Sequence, residues 1–154
     1  MIKHINGTHR AAIAPEALWA ALSDPERLGA ALPDVRWVTA DGPDVFRAGV
    51  RPSTNLGVTP LELDVRIAER DEPRRVRITG DGSGGEFRVA FDTELQLAGA
   101  DDGACDVTWS AQVQAFGVLA SLTQRVLPWL LRDQITLVLR TAEAQASQAA
   151  GGVA

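Results

Sequence analysis

Cysteine is almost absent from this sequence, with Cys105 alone among 154 residues. An internal disulfide and a cysteine-built metal cluster are therefore excluded, which suits a reducing cytoplasm. Histidine is nearly as scarce, limited to His4 and His9. An odd spacing on a strand sends the two rings to opposite faces, so they cannot share a metal, and no metal site is expected. Positive charge is also short: 15 Lys and Arg against 20 Asp and Glu leave a net charge of −5. Nucleic acid is an unsuitable partner for such a surface, because binding it requires a cationic face that releases counterions. No run approaches the roughly 18 apolar residues of a membrane span. Met1-Ile2-Lys3-His4 does not open a signal peptide. The expected location is cytoplasmic.

What remains is the composition of a globular domain, 45% hydrophobic and 23% charged, long enough to build a core without staples. One domain over 1–148 is expected, with 149–154 a flexible tail of small residues. Residues 3–13 look like a strand. Pro15 and Glu16 then open a short helix that buries Leu18, Trp19 and Leu22. Ser23 or Asp24 caps a second helix beginning at Pro25, with Leu28 and Leu32 on its apolar side and Pro33 ending it.

The middle of the chain alternates with period two, the mark of a sheet that is wet on one face. Phe46, Ala48 and Val50 form one such set, and Leu61, Leu63, Val65 and Ile67 a second. Val76 and Ile78 follow. The longest set is Phe87, Val89, Phe91, Thr93, Leu95 and Leu97, and Val107, Trp109, Ala111, Val113 and Ala115 complete the series. Gly80 to Gly85 has the composition of a flexible turn. It lacks the lysine and the following helix of a phosphate loop. From Val118 to Gln148 the period becomes helical, interrupted by Pro128, where a kink is expected. The predicted class is α+β: a curved antiparallel sheet wrapped around a long C-terminal helix, with two short helices after the first strand.

Particular segments carry a narrower likeness. They are Ala14-Pro15-Glu16-Ala17-Leu18-Trp19, Leu22-Ser23-Asp24-Pro25-Glu26-Arg27-Leu28, Ala31-Leu32-Pro33-Asp34-Val35, Ile78-Thr79-Gly80-Asp81-Gly82, Val107-Thr108-Trp109, and Phe116-Gly117-Val118-Leu119-Ala120-Ser121-Leu122. In this order they resemble the CoxG family of carbon monoxide dehydrogenase subunits, a branch of the START-like (SRPBCC) helix-grip superfamily. The resemblance runs from Ile5 to Leu139. It departs from the family pattern at Asn55-Leu56-Gly57, at His9 and at Pro128. It implies a non-enzymatic accessory protein that carries a lipophilic quinone for a molybdenum hydroxylase such as carbon monoxide dehydrogenase, with no intrinsic cofactor.

Strand and helix parity then nominate an apolar ligand pocket lined by His9, Phe87, Phe91, Trp109, Ala111, Leu122 and Val126. His9 would be its polar handle, and no residue is assigned a catalytic role. The carboxylates Glu62, Asp64, Asp92 and Glu94 fall on the polar face and read as solvated. Two other classes stay open: an enzyme of the polyketide cyclase or aromatase type, and a ligand-free module that recruits a partner enzyme. On the last helix a second apolar stripe, Leu131, Ile135, Val138 and Ala142, lies near Arg125, Arg132 and Arg140. It either packs into the core or is a docking face, for the inner face of a membrane or for a partner's groove.

Overall fold

The computed structural model describes residues 2–51, 60–84, 87–100, 102–116 and 127–151; of Phe87, 127–131 and 148–151 only the backbone is described. Among these, seven strands form one antiparallel sheet. They are β1 (Ile2–Ala11), β2 (Val35–Ala40), β3 (Val45–Val50), β4 (Leu61–Asp71), β5 (Arg75–Gly84), β6 (Phe87–Gly99) and β7 (Cys105–Phe116), in the spatial order β1-β7-β6-β5-β4-β3-β2. Helices α1 (Pro15–Leu22) and α2 (Pro25–Ala30) follow β1, and α3 (Leu127–Gly151) ends the chain.

The α1–α2 pair breaks where the sequence places its signals. Asp24 is the N-cap of α2, its side chain accepting from Glu26 N at 3.2 Å with Pro25 at the first helical position. Leu18 and Leu22 are buried at 0% and 1% exposure, and burial of each contributes about 1.5–3 kcal/mol. The Arg70 side chain fixes this pair to the β2–β3 hairpin, donating to Ser23 O at 3.0 Å and to Pro43 O at 2.7 Å.

Three expectations change. Gly80 to Gly84 is not a turn: β5 runs straight through it, paired with β4 and β6. A Cβ at Gly80 would meet Phe91 Cζ at 2.7 Å, and one at Gly82 would meet Leu63 Cδ2 at 2.5 Å. These glycines accommodate neighbouring side chains inside a strand. Strand β2, absent from the sequence reading, carries a register shift between Val35 and Trp37 that breaks its alternation. The last helix continues to Gly151, into the segment expected to be a flexible tail. Of the helix expected from Val118, residues 118–126 lie outside the described ones, and Pro128 falls at the start of the described helix.

Helix α3 packs against β1 and α1. Leu139, Ala142 and Ala146 are buried at 1%, 1% and 3%, with Ile135 and Val138 packed beside them. The stripe containing Ile135, Val138 and Ala142 therefore belongs to the core. The side chain of Leu131 lies outside the described residues. Among the described residues no helix is long and apolar enough to cross a membrane.

Candidate functional site

The strand registers order the inward side chains into rungs across the sheet. His9 pairs with Val107, which pairs with Leu97. The next rung is Gly7, Trp109, Leu95 and Val76, followed by Ile5, Ala111, Thr93, Ile78 and Ile67. Then come Val113, Phe91, Gly80 and Val65, and after them Ala115, Val89, Gly82 and Leu63. In the first three rungs the large apolar side chains and Ala111 are closed off, each at most 7% exposed, while His9 and Thr93 are only partly buried. In the last two, Val113, Val65 and Ala115 are buried, but Leu63, Val89 and Phe91, pointing inward with the same parity, are only partly so. Accessible apolar surface on the concave side is thus concentrated where β4, β5 and β6 approach the hairpins. We call this the open end.

The nominated pocket residues divide between these regions. Phe91 lies at the open end. Ala111 is one rung further in and 4% exposed, and Trp109 is two rungs in and 3% exposed, its ring against Gly7. His9 is at the closed end, six residues along β7 from the level of Phe91, or about 20 Å. The side chains of Phe87, Leu122 and Val126 lie outside the described residues. Leu63 and Val89 share the inward parity, although parity alone does not single them out as pocket walls. The cue for Gly80 and Gly82 is that they continue the alternation of Val76 and Ile78.

His9 has a neighbour that sequence reading misses. Its Nε2, buried and without a hydrogen-bond partner, lies 3.5 Å from Glu143 Oε2 on α3. The other oxygen of Glu143 accepts from Ala12 N at 2.7 Å, tying α3 to the end of β1. Cys105, also at this end, is fully buried. Burial pushes its thiol above the ordinary value, with Asp106 and Glu16 adding to the effect against an opposing backbone hydrogen bond at Ala98. A buried thiol held protonated is a poor nucleophile.

The convex face carries paired charges rather than merely solvated ones. Arg47 contacts Glu62 at 3.3 Å and Asp64 at 2.9 Å. Arg75 bonds Glu94 at 2.5 Å, Arg77 bonds Asp92 at 2.6 Å, and Glu69 accepts from Arg75 at 2.9 Å. No cluster of potential metal ligands occurs among the described residues.

The family model for CoxG, a subunit of carbon monoxide dehydrogenase, matches residues 7–147. The chain belongs to this family. Solved structures extend the likeness to the START-like fold. A conserved protein from Geobacillus kaustophilus superposes with a TM-score of 0.85 at 18% identity, covering 95% of this chain and 96% of that one. A START superfamily protein from Mycobacterium smegmatis gives 0.68 at 11% identity, covering 94% and 97%. Norcoclaurine synthase from Thalictrum flavum, an enzyme, gives 0.65 at 10% identity, covering 96% and 88%. At these identities the likeness is one of fold, and the same fold serves a synthase. No curated protein sequence matches the CoxG-family chain.

Proposed function

We propose that this chain is a non-enzymatic binding protein that carries a small lipophilic molecule, a quinone, as an accessory to a molybdenum hydroxylase such as carbon monoxide dehydrogenase. One observation carries the reading: Leu63, Val89 and Phe91 face the inside of the sheet but stay partly accessible. An apolar concave surface left open at one end suits an apolar guest, since burying such surface is favourable by about 25 cal/mol per Å². The glycines at 80 and 82 make room for the Phe91 and Leu63 side chains that form this surface. Family membership supports the accessory role and the type of partner enzyme. Thr93, inward and one rung from Phe91, is the hydroxyl suited to orient a quinone carbonyl.

The enzyme reading draws on His9 and Glu143, two titratable groups 3.5 Å apart inside the fold. Their position at the closed end, about 20 Å along the strand from Phe91, favours a carrier. Organic extraction of freshly purified protein, followed by mass spectrometry, tests the proposal. A stoichiometric quinone supports it. An empty protein that also fails to take up added quinone would favour a recruitment module.

A further inference from the structure

The C-terminal helix meets the sheet through one polar contact set among apolar ones. On α3, Leu139, Ala142, Glu143 and Ala146 recur at helical spacing and share a face. Leu139, Ala142 and Ala146 are buried, so Glu143 is a carboxylate within the buried stripe, its side chain 22% exposed. A charge in such surroundings requires partners. One oxygen accepts from the Ala12 amide at 2.7 Å, just past the end of β1. Ala12 is itself exposed, so this carboxylate is what engages its N–H. The other oxygen faces His9 Nε2 at 3.5 Å, where no hydrogen bond forms.

His9 supplies the complementary half. It shares the inward side of β1 with Ile5, Gly7 and Ala11, and its side chain is 13% exposed. An enclosed nitrogen with no partner, as Nε2 is here, is costly, and native structures rarely keep one. Protonation of the ring turns that nitrogen into a charged donor beside the Glu143 carboxylate.

Other charges around the ring do not compete for this role. Among the described residues no lysine or arginine pairs with Glu143. Arg140, one turn earlier on α3, is exposed. Arg10 lies on the opposite face of β1, held by Asp102 at 2.7 Å and by Asp106 at 3.9 Å. From β7 the nearby titratable group is the Cys105 thiol, which burial keeps protonated. From α1 it is Glu16, whose charge reaches that thiol.

We propose that His9 and Glu143 form a proton-dependent clamp that fastens α3 to the end of β1. With a neutral ring, the carboxylate holds Ala12 alone. With a charged ring its second oxygen is held as well, and the strand end and the helix are joined through both oxygens. Both charges coexist where carboxyls are ionised and imidazoles protonated, at about pH 5 to 6. The clamp therefore closes on the acid side and releases as pH rises past neutrality. Helix α3 contributes Leu139, Ala142 and Ala146 to the core, so the clamp sets how readily the helix lifts from the inner face of the sheet. It stands apart from the carrier reading, because it concerns the closed end.

Amide hydrogen exchange of the full chain, followed by NMR at about pH 5.5 and about pH 7.5, tests this. Protection factors remove the intrinsic pH dependence of exchange. The Ala12 amide is expected to be about fivefold better protected at the lower pH, as one partly exposed charge-assisted contact allows. The melting temperature should differ by no more than about 2–4 °C between the two. His9→Gln and Glu143→Gln are each expected to give equal protection at both pH values, and Glu143→Gln keeps an acceptor for Ala12. His4→Gln removes the other histidine, exposed on the opposite face, and should leave the difference intact. Amide spectra of every variant confirm folding. Glu143→Gln preserves the side-chain shape, so it decides the question even where His9→Gln does not fold. Equal protection at both pH values in the wild-type protein, a pH dependence that survives in either folded variant, or its loss in His4→Gln would overturn the proposal.

Discussion

Trp109 lies against Gly7 on the neighbouring strand, so closely that a Cβ at Gly7 would fall 2.5 Å from Cζ2 of the indole. The missing side chain of Gly7 makes room for this indole in the closed half of the core. Gly7→Ala is therefore expected to overpack a side chain that is only 3% exposed, costing about 1–3 kcal/mol. Denaturant unfolding with tryptophan emission measures it. Unchanged stability and emission would show that the ring is not confined there.

At the open end the expectation reverses. Val89 is inward but partly buried, so Val89→Phe should project into accessible space without straining the core. Quinone affinity is expected to fall about tenfold or more, with a melting temperature within a few degrees of the parent. Ala111→Phe would be a poorer probe, because Ala111 is 4% exposed and a larger ring there strains the fold. A folded Val89→Phe protein with undiminished affinity would place the guest elsewhere.

His9→Phe separates carrier from enzyme. Its Nε2 has no hydrogen bond to lose, and its rung is remote from Phe91, so quinone affinity should change no more than severalfold. Glu143→Ala should be worse tolerated, by about 1–2 kcal/mol, because Ala12 N then loses its acceptor. An activity that disappears with His9 would instead make the His9–Glu143 pair catalytic.

The fold was legible where one face is wet and the other dry, as in β7, whose buried and exposed positions alternate along its whole length. Strand β2 was not, because its bulge breaks the period and leaves Trp37 on the outside. Glycine misled for a physical reason. Without a side chain it signals a turn and a close approach equally well, and only pairing distinguishes them. Parity correctly set Phe91, Trp109 and Ala111 on the concave side, but it says nothing of depth. Depth depends on which rung the helices cover. Glu143 was invisible because its partner His9 is far away in sequence.

Acid should loosen the convex face. Arg77 donates to both oxygens of Asp92, at 3.0 and 2.6 Å. That hydrogen bonding, with the guanidinium charge adding to it against partial burial, holds the Asp92 carboxyl below the ordinary carboxylate range. Arg75 does the same for Glu94 and Glu69. A lowered folded-state pKa stabilises above the unfolded value, and that stability is lost as pH falls through the folded one. The melting temperature should therefore hold from neutrality to about pH 5 and decline below about pH 4. Asp92→Asn should flatten part of that decline; an identical acid limb would show that the pair contributes nothing measurable.

The open, apolar end of the concave face is the proposed seat of a lipophilic guest, and the carrier reading depends on it. Titration of the delipidated protein with a short-chain quinone, followed by tryptophan quenching and repeated with Val89→Phe, tests it most directly. Saturable binding of one quinone per chain is expected, sharply weakened in the folded variant. Failure of the wild-type protein to bind, or identical isotherms for the two proteins, would contradict it.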